Sequence, residues 1–182
     1  MEKNPIKILI VCHHYPPHIT GVGIIAHNQA KNLVARGNVV TVITSDTDKN
    51  EKSALMSGVN VIRVKALNFL ERIHAPFPIF SPTIIYHLLN EVKKADVVHI
   101  HDAFYISSIL AFFVAKIKGK PVLLTQHVSM VSHTSKTIIA IQKIVYSTYG
   151  YLIFKYSNLI TVYNDRVGDF ILNKGIDKSN MC

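Results

Sequence analysis

The sequence predicts an α/β chain: a doubly wound, mostly parallel sheet with helices on both faces. Three observations carry that prediction. Short apolar runs alternate with longer stretches of helical periodicity through all 182 residues. The runs are apolar at consecutive positions, as strands covered on both faces are. Glycines stand just past the helical stretches, at Gly37, Gly119 and Gly175, where a left-handed residue commonly ends a helix.

The elements follow in order. Ile6–Cys12 is a continuous apolar run and reads as a central strand. A proline-rich loop runs from His13 to Gly21. Val22–Arg36 reads as a helix, because Ala26, Ala30, Leu33 and Val34 fall on one face. Val39–Thr44 is the second strand. The polar stretch Ser45–Gly58 reads as a loop, and Val59–Val64 as the third strand. Leu67–Pro82 holds three prolines and is expected to be irregular and outside the sheet. Thr83–Lys94 is a helix, Asp96–His101 a strand, Phe104–Lys118 a helix and Pro121–Gln126 a strand. Lys136–Tyr156 is one long helical segment, with Gly150 its only interruption. Leu159–Tyr163 and Asp165–Lys174 are the last strand and helix. About six parallel strands result, without internal repeats.

Composition narrows the function classes. Hydrophobic residues make up 49% of the chain and charged residues 17%, which suits a buried core and excludes a disordered chain. The net charge of +9 would attract anionic ligands or surfaces. The basic residues are scattered, tryptophan is absent, and no nucleic-acid motif is present, so no nucleic-acid partner is expected. Two cysteines, Cys12 and Cys182, do not make a disulfide framework and fit a reducing cytoplasm. No apolar run approaches the roughly 18–20 residues of a membrane span, and no signal peptide is evident.

In open α/β sheets, ligands bind at the carboxyl ends of the strands. Three loops there carry candidate chemistry. The first ends in Gly21-Val22-Gly23 and opens a helix, and backbone N–H groups at a helix start form an anion site. Gly21, Gly23 and Ala26, with Asp46 further on, loosely match a dinucleotide fingerprint. That fingerprint needs its first glycine directly after the strand, and His13 to Thr20 intervene here, so the dinucleotide reading is set aside. Glycines that merely turn the chain into the helix remain an alternative. The second loop follows Val98-His99-Ile100-His101-Asp102. His99 and His101 face the same side of their strand, and His101 and Asp102 sit at its ligand end. Two histidines and an aspartate could ligate a metal, but no second cluster accompanies them and no metal is expected. The third follows Leu124-Thr125-Gln126-His127, where an imidazole could meet a sugar hydroxyl or a phosphate.

Taken in order, five stretches resemble the N-terminal domain of family 4 glycosyltransferases. They are Tyr15-Pro16-Pro17 with its glycine loop, Asn32–Thr44, Asp96–Asp102, Lys120–His127 and Ser157–Val162. The chain departs from the family pattern at Thr20, in place of the first of two glycines, at Asn38-Val39, at Val128 and at Tyr163. The resemblance implies a Rossmann-like half of a two-domain GT-B architecture, with residues 1–182 forming the acceptor side and a C-terminal donor-binding domain lying outside this chain. It implies retaining transfer from a nucleotide-sugar donor to a glycan or lipid-linked acceptor, with the donor as substrate and no cofactor or metal. Carried over, Gly21, Val22 and Gly23 would lie near the donor diphosphate. His127 would be the catalytic histidine touching the transferred sugar or the acceptor, and His101 and Asp102 would line the cleft. A chain lacking the second domain is expected to be inactive by itself. A non-catalytic binding module or partner subunit of the same fold stays open.

The expected location is the cytoplasm, with peripheral attachment to the anionic inner face of the cell membrane. The warrant is Ser135–Tyr156, where aliphatic and tyrosine side chains interleave with Lys136, Lys143 and Lys155 in the manner of interfacial helices. Burial of this segment between the sheet and a second domain is the alternative.

Overall fold

The computed structural model describes residues 4–46, 53–67 and 77–182. The strands are β1 (Lys7–Val11), β2 (Val39–Asp46), β3 (Ser53–Met56), β4 (Val59–Leu67), β5 (Ile79–Phe80), β6 (Val97–His101), β7 (Val122–Gln126) and β8 (Leu159–Val162). The helices are α1 (Gly21–Ala35), α2 (Thr83–Lys94), α3 (Ile106–Ile117), α4 (Lys136–Ser147), α5 (Tyr149–Tyr156) and α6 (Asp165–Leu172).

The sheet order is β3-β4-β2-β1-β6-β7-β8, with β5 also on β4. β4, β2, β1, β6, β7 and β8 are mutually parallel. Numbered among themselves in chain order they run 3-2-1-4-5-6, the dinucleotide-fold order whose switch point lies between the first and fourth strands. Here that is the β1–β6 boundary, where Ile10 is in register with His99 and Val11 with Ile100.

Two cores flank the sheet, because neighbouring strand residues point to opposite faces. Leu9 and Val11 join Leu88, Phe112, Ile153 and Ile171 on one face. Ile8, Ile10 and Cys12 join Ala26 and Ala30 of α1 on the other. Burying one such aliphatic side chain contributes roughly 1.5–3 kcal/mol, so the continuous apolar strands fix both layers at once. The alanines of α1 let its backbone approach the sheet closely.

The structure departs from the sequence reading in three places. Ser45–Gly58 is not all loop: β2 continues to Asp46, and β3 forms a hairpin with β4. Its turn is Ser57-Gly58, both with positive φ (51° and 79°), as a two-residue type I′ hairpin requires. Residues 47–52 lie outside the described residues. Leu67–Pro82 is not wholly outside the sheet either, since Ile79 and Phe80 pair antiparallel with Leu67 and Ala66. Residues 68–76 lie outside the described residues. Finally, Lys136–Tyr156 is two helices broken at Thr148 (φ −114°, ψ −97°). Gly150 sits inside α5, where an added Cβ would come within 3.1 Å of Tyr146 and of the Val145 carbonyl, so its smallness serves packing against α4.

Candidate active site at the strand ends

The chain leaving β1 turns at once into buried polar residues. His13 and His14 are 3% and 0% exposed. The Ser45 hydroxyl on β2 donates to the His13 carbonyl, which ties the loop to the neighbouring strand. Further on, Arg63 donates from Nη2 to the Pro16 carbonyl at 2.7 Å, and the Tyr15 hydroxyl meets His27 Nδ1 of α1 at 3.0 Å. The loop is thereby held from β2, β4 and α1 before the helix begins.

Thr20 caps α1, its Oγ1 accepting from Gly23 N at 3.0 Å. A Ser or Thr in that place satisfies one of the orphan N–H groups of the first turn, which accounts for a threonine where the family pattern has glycine. Gly23 is buried, and an added Cβ would stand 3.0 Å from both the His14 carbonyl and Thr20 Oγ1. Its N–H is thus committed to the cap and its missing side chain to packing. Gly21 is exposed, with nothing within 4 Å of an added Cβ, and Val22 is half-buried.

β6 ends in His101, followed by Asp102 in the left-handed region (φ 59°), which Asp and Asn tolerate better than other L-residues. Both are fully buried. Asp102 Oδ1 accepts from the backbone N–H of His127 at 2.8 Å, and Asp102 N donates to the Thr125 carbonyl. One carboxylate therefore locks the end of β6 to the end of β7. His101 Nδ1 lies 2.9 Å from His127 Nε2, with the rings near parallel at 16°. Gln126 completes the lock: its Oε1 accepts from Ala103 N, and its Nε2 donates to the Val128 carbonyl and the Tyr146 hydroxyl oxygen. His99 stacks beneath His101 with centroids 4.5 Å apart. It is engaged with Thr125 Oγ1 at 2.8 Å, and Thr125 in turn with Thr161.

His13 stacks on Tyr105, the rings 3.4 Å apart at 13°. The reading of the sequence did not single out His13, Tyr105 or Gln126. The switch-point rule would have found His13, the first residue past the first strand but one; nothing local marks Tyr105 or Gln126.

Burial keeps the histidines of this cluster uncharged at neutral pH. It pushes His127 and His99 down to about 4. His101 and His13 are held well below the ordinary histidine value, first by burial and then by their histidine neighbours. Burial raises Asp102 to about 7, against the hydrogen bonds from the His127 and Val128 backbone. The His101–His127 bond thus joins two neutral rings, one donating and one accepting. His127 Nδ1 and His101 Nε2 have no hydrogen-bond partner among the described residues. In a neutral ring the two nitrogens have opposite roles, so a ligand held by one ring sets the tautomer of the other. Such a pair can accept a hydroxyl proton at one end and donate at the other. Among the described residues no group of three or more His, Cys, Asp or Glu side chains is arranged to hold a metal ion.

Comparison with known proteins decides the family. The profile described as Glycosyltransferase Family 4 matches residues 19–182. The chain belongs to glycosyltransferase family 4. No curated protein sequence matches it significantly. Among solved structures it is similar to UDP-N-acetylglucosamine 2-epimerase from Rickettsia bellii, with a TM-score of 0.55 and 10% identity over 98% of this chain and 44% of that one. It also matches α,α-trehalose 6-phosphate synthase from Burkholderia multivorans, with a TM-score of 0.48 and 10% identity over 97% and 45%. A third match is the calicheamicin glycosyltransferase CalG4, with a TM-score of 0.40 and 13% identity over 88% and 48%. The family 4 chain spans less than half of each of these structures, and the likeness to the epimerase shows a shared fold. Among its described residues no helix is long and apolar enough to cross a membrane.

Proposed function

We propose that this family 4 chain is the acceptor-side half of a retaining glycosyltransferase, which moves a sugar from a nucleotide-sugar donor to a hydroxyl of a glycan or lipid-linked acceptor. The observation that carries the reading is the His101–His127 pair, locked by Asp102 at the switch point of a 3-2-1-4-5-6 sheet. In this reading His127 offers Nδ1 to a hydroxyl of the transferred sugar or the acceptor. His101 holds the other nitrogen of that ring, and Asp102 fixes the backbone beneath it. Gly23 N–H being taken by Thr20, the first turn of α1 meets the donor diphosphate through the N–H groups of Gly21 and Val22. Preorganised donors at a helix start stabilise the charge that grows on a departing diphosphate. A second domain supplies the opposite wall and most contacts to the nucleotide, because donor and acceptor must be held together in a dry cleft for transfer. The donor is a substrate, and no resident metal or cofactor is part of this reading.

The test is release of nucleoside diphosphate from a panel of nucleotide sugars by the full-length enzyme that contains this chain. His127→Ala should lower kcat by roughly a hundredfold or more, the scale of losing one preorganised polar contact to a transition state. His87→Ala, on α2 and away from the strand ends, should leave it unchanged. Equal turnover by wild type and H127A sinks the reading. Nucleotide binding without any transfer would favour a non-catalytic module.

A further inference from the structure

β7 and β8 run parallel and in register, with Gln126 opposite Val162. The next residue of each strand, His127 and Tyr163, therefore emerges beside the other at the carboxyl end of the sheet, where open α/β sheets bind ligands. A backbone bond holds the two together, Tyr163 N donating to the Gln126 carbonyl at 3.3 Å. Their rings lie 6.0 Å apart, tilted at 36°. Their burial differs: His127 is 7% exposed and Tyr163 64%. The Tyr163 ring thus adds little to the core. It is an aromatic surface left open to solvent beside the candidate catalytic imidazole.

A pyranose ring has two kinds of surface. Its rim carries hydroxyls, and its faces carry C–H groups. A face packs against an aromatic ring, and the rim then needs a polar group at that ring's edge. Tyr163 supplies the first. His127 supplies the second through Nδ1, which has no hydrogen-bond partner among the described residues. Val128, next after His127 in the chain, is 40% exposed and adds an apolar flank. Val128 and Tyr163 are both positions at which the chain departs from the family pattern, and both adjoin His127. The histidines here are uncharged at neutral pH, which suits a neutral sugar better than an anionic one. Tyrosine has only two side-chain torsions, so ordering it over a ligand costs little entropy. A nucleobase would also stack on such a ring, but the group offered at its edge is the imidazole already assigned to a sugar hydroxyl.

We propose that Tyr163 is a platform on which a neutral pyranose of the acceptor stacks by one C–H face while His127 holds a hydroxyl of its rim. Tyr163 is then a residue that selects the acceptor by ring shape. The inference rests on the glycosyltransferase reading, to which it adds a sugar-binding residue and the class of sugar it takes.

Saturation-transfer NMR on the full-length enzyme that contains this chain tests the platform apart from catalysis. The probe is methyl β-glucopyranoside, whose axial ring hydrogens lie flat on either face. Sorbitol, which has the hydroxyls without the ring, is the comparator, and uridine diphosphate is the nucleotide control. The glucoside should bind, with transfer concentrated on the axial hydrogens of one face, and sorbitol should not. Tyr163→Ala should weaken glucoside binding roughly tenfold, and Tyr163→Phe, which keeps the ring, should stay within about twofold of wild type. The side chain is mostly exposed, and circular dichroism verifies that both variants fold. Binding is read without transfer, so an enzyme that moves no sugar can still show the platform. Conversely, an active enzyme whose glucoside binding ignores Y163A retains the glycosyltransferase reading and loses this one. Three results overturn the proposal. One is no glucoside binding, or binding that is equal in wild type and Y163A. Another is sorbitol binding as well as the glucoside, which would leave hydrogen bonds alone to explain recognition. The third is transfer to the base protons of uridine diphosphate that Y163A abolishes while glucoside signals persist, which would assign the ring to the nucleotide.

Discussion

The two halves of the sheet meet their ligand ends differently. In the half built from β1, β2 and β4, the end of β1 leads through the buried His13 and His14 into prolines, glycines and the capped start of α1, and what the helix start offers outward is backbone N–H. In the half built from β6, β7 and β8, the strand ends lead into His101, Asp102 and His127, and what is offered is side-chain imidazole. The first half is covered on one face by α1 through alanines and on the other by α2, which exposes Ile85, Tyr86 and Leu89. The second carries α3, α4 and α5, whose outer faces expose Ile106, Ile141, Ile144 and Tyr149. One side of the switch point is therefore suited to an anion that any backbone can hold. The other presents imidazoles suited to a hydroxyl-bearing molecule, and its helices α3, α4 and α5 border an apolar groove.

The largest expected effect on stability lies in the side-chain half. Asp102 is fully buried, accepts from His127 N and sits at positive φ. Asp102→Ala leaves a buried N–H unsatisfied and places a Cβ residue with no compensating bond in the left-handed region. Chemical denaturation should show a loss of about 2–4 kcal/mol. Asp102→Asn keeps an acceptor and tolerates that φ, so it should recover most of the loss. Equal losses in both variants would mean that the carboxylate charge matters more than the lock it makes.

The same contrast predicts the pH response. His13, His99, His101 and His127 all have folded values below the ordinary 6.5. The unfolded chain then binds more protons than the folded one below about pH 6.5, so their contribution is complete above that pH and is lost as acid carries it toward 4. Asp102 has the opposite sign: its folded value of about 7 lies above the unfolded 3.8, so its contribution is present in acid and lost as pH rises through 7. Four histidines outweigh one carboxyl. Stability should fall from pH 6.5 to 4 by more than one group's limit of about 1.4 kcal/mol per pH unit. Thermal melts over that range measure it, and a melting temperature that stays flat would show that the cluster is not closed in solution. In His99→Gln, the acid slope should become shallower.

How much of this could be read beforehand follows the same division. The six parallel strands were legible because two-sided burial writes continuous apolar runs. His101, Asp102 and His127 could be named as candidates because they stand at the ends of such runs, while His13, past the first run, was passed over. β3 and β5 were not: they are four and two residues long, lie at an edge, and owe their pairing to β4. The break at Thr148 was misplaced onto Gly150, because a glycine reads as a breaker in sequence while its contact with Tyr146 exists only in three dimensions. Tyr105 entered the site through stacking on a residue far away in the chain, which leaves no local trace.

The smallest stability effect separates packing from ligand binding within the backbone half. Gly21 and Gly23 stand two residues apart at the start of α1, and the sequence treats them alike. Gly23→Ala must push against the His14 carbonyl and Thr20 Oγ1, each 3.0 Å from the new Cβ. A clash with backbone relaxes poorly, and about 1–3 kcal/mol should be lost. Gly21→Ala meets nothing within 4 Å and gains helix propensity of up to about 1 kcal/mol, less at a first helical position than in a helix interior. G21A should therefore melt at or slightly above the wild-type temperature. If the first turn of α1 approaches a diphosphate, the same methyl group stands between that anion and the N–H groups of Gly21 and Val22. KM for the donor should then rise in G21A while stability holds. An unchanged KM would leave Gly21 a turn residue and nothing more, and would move the anion site of this half elsewhere.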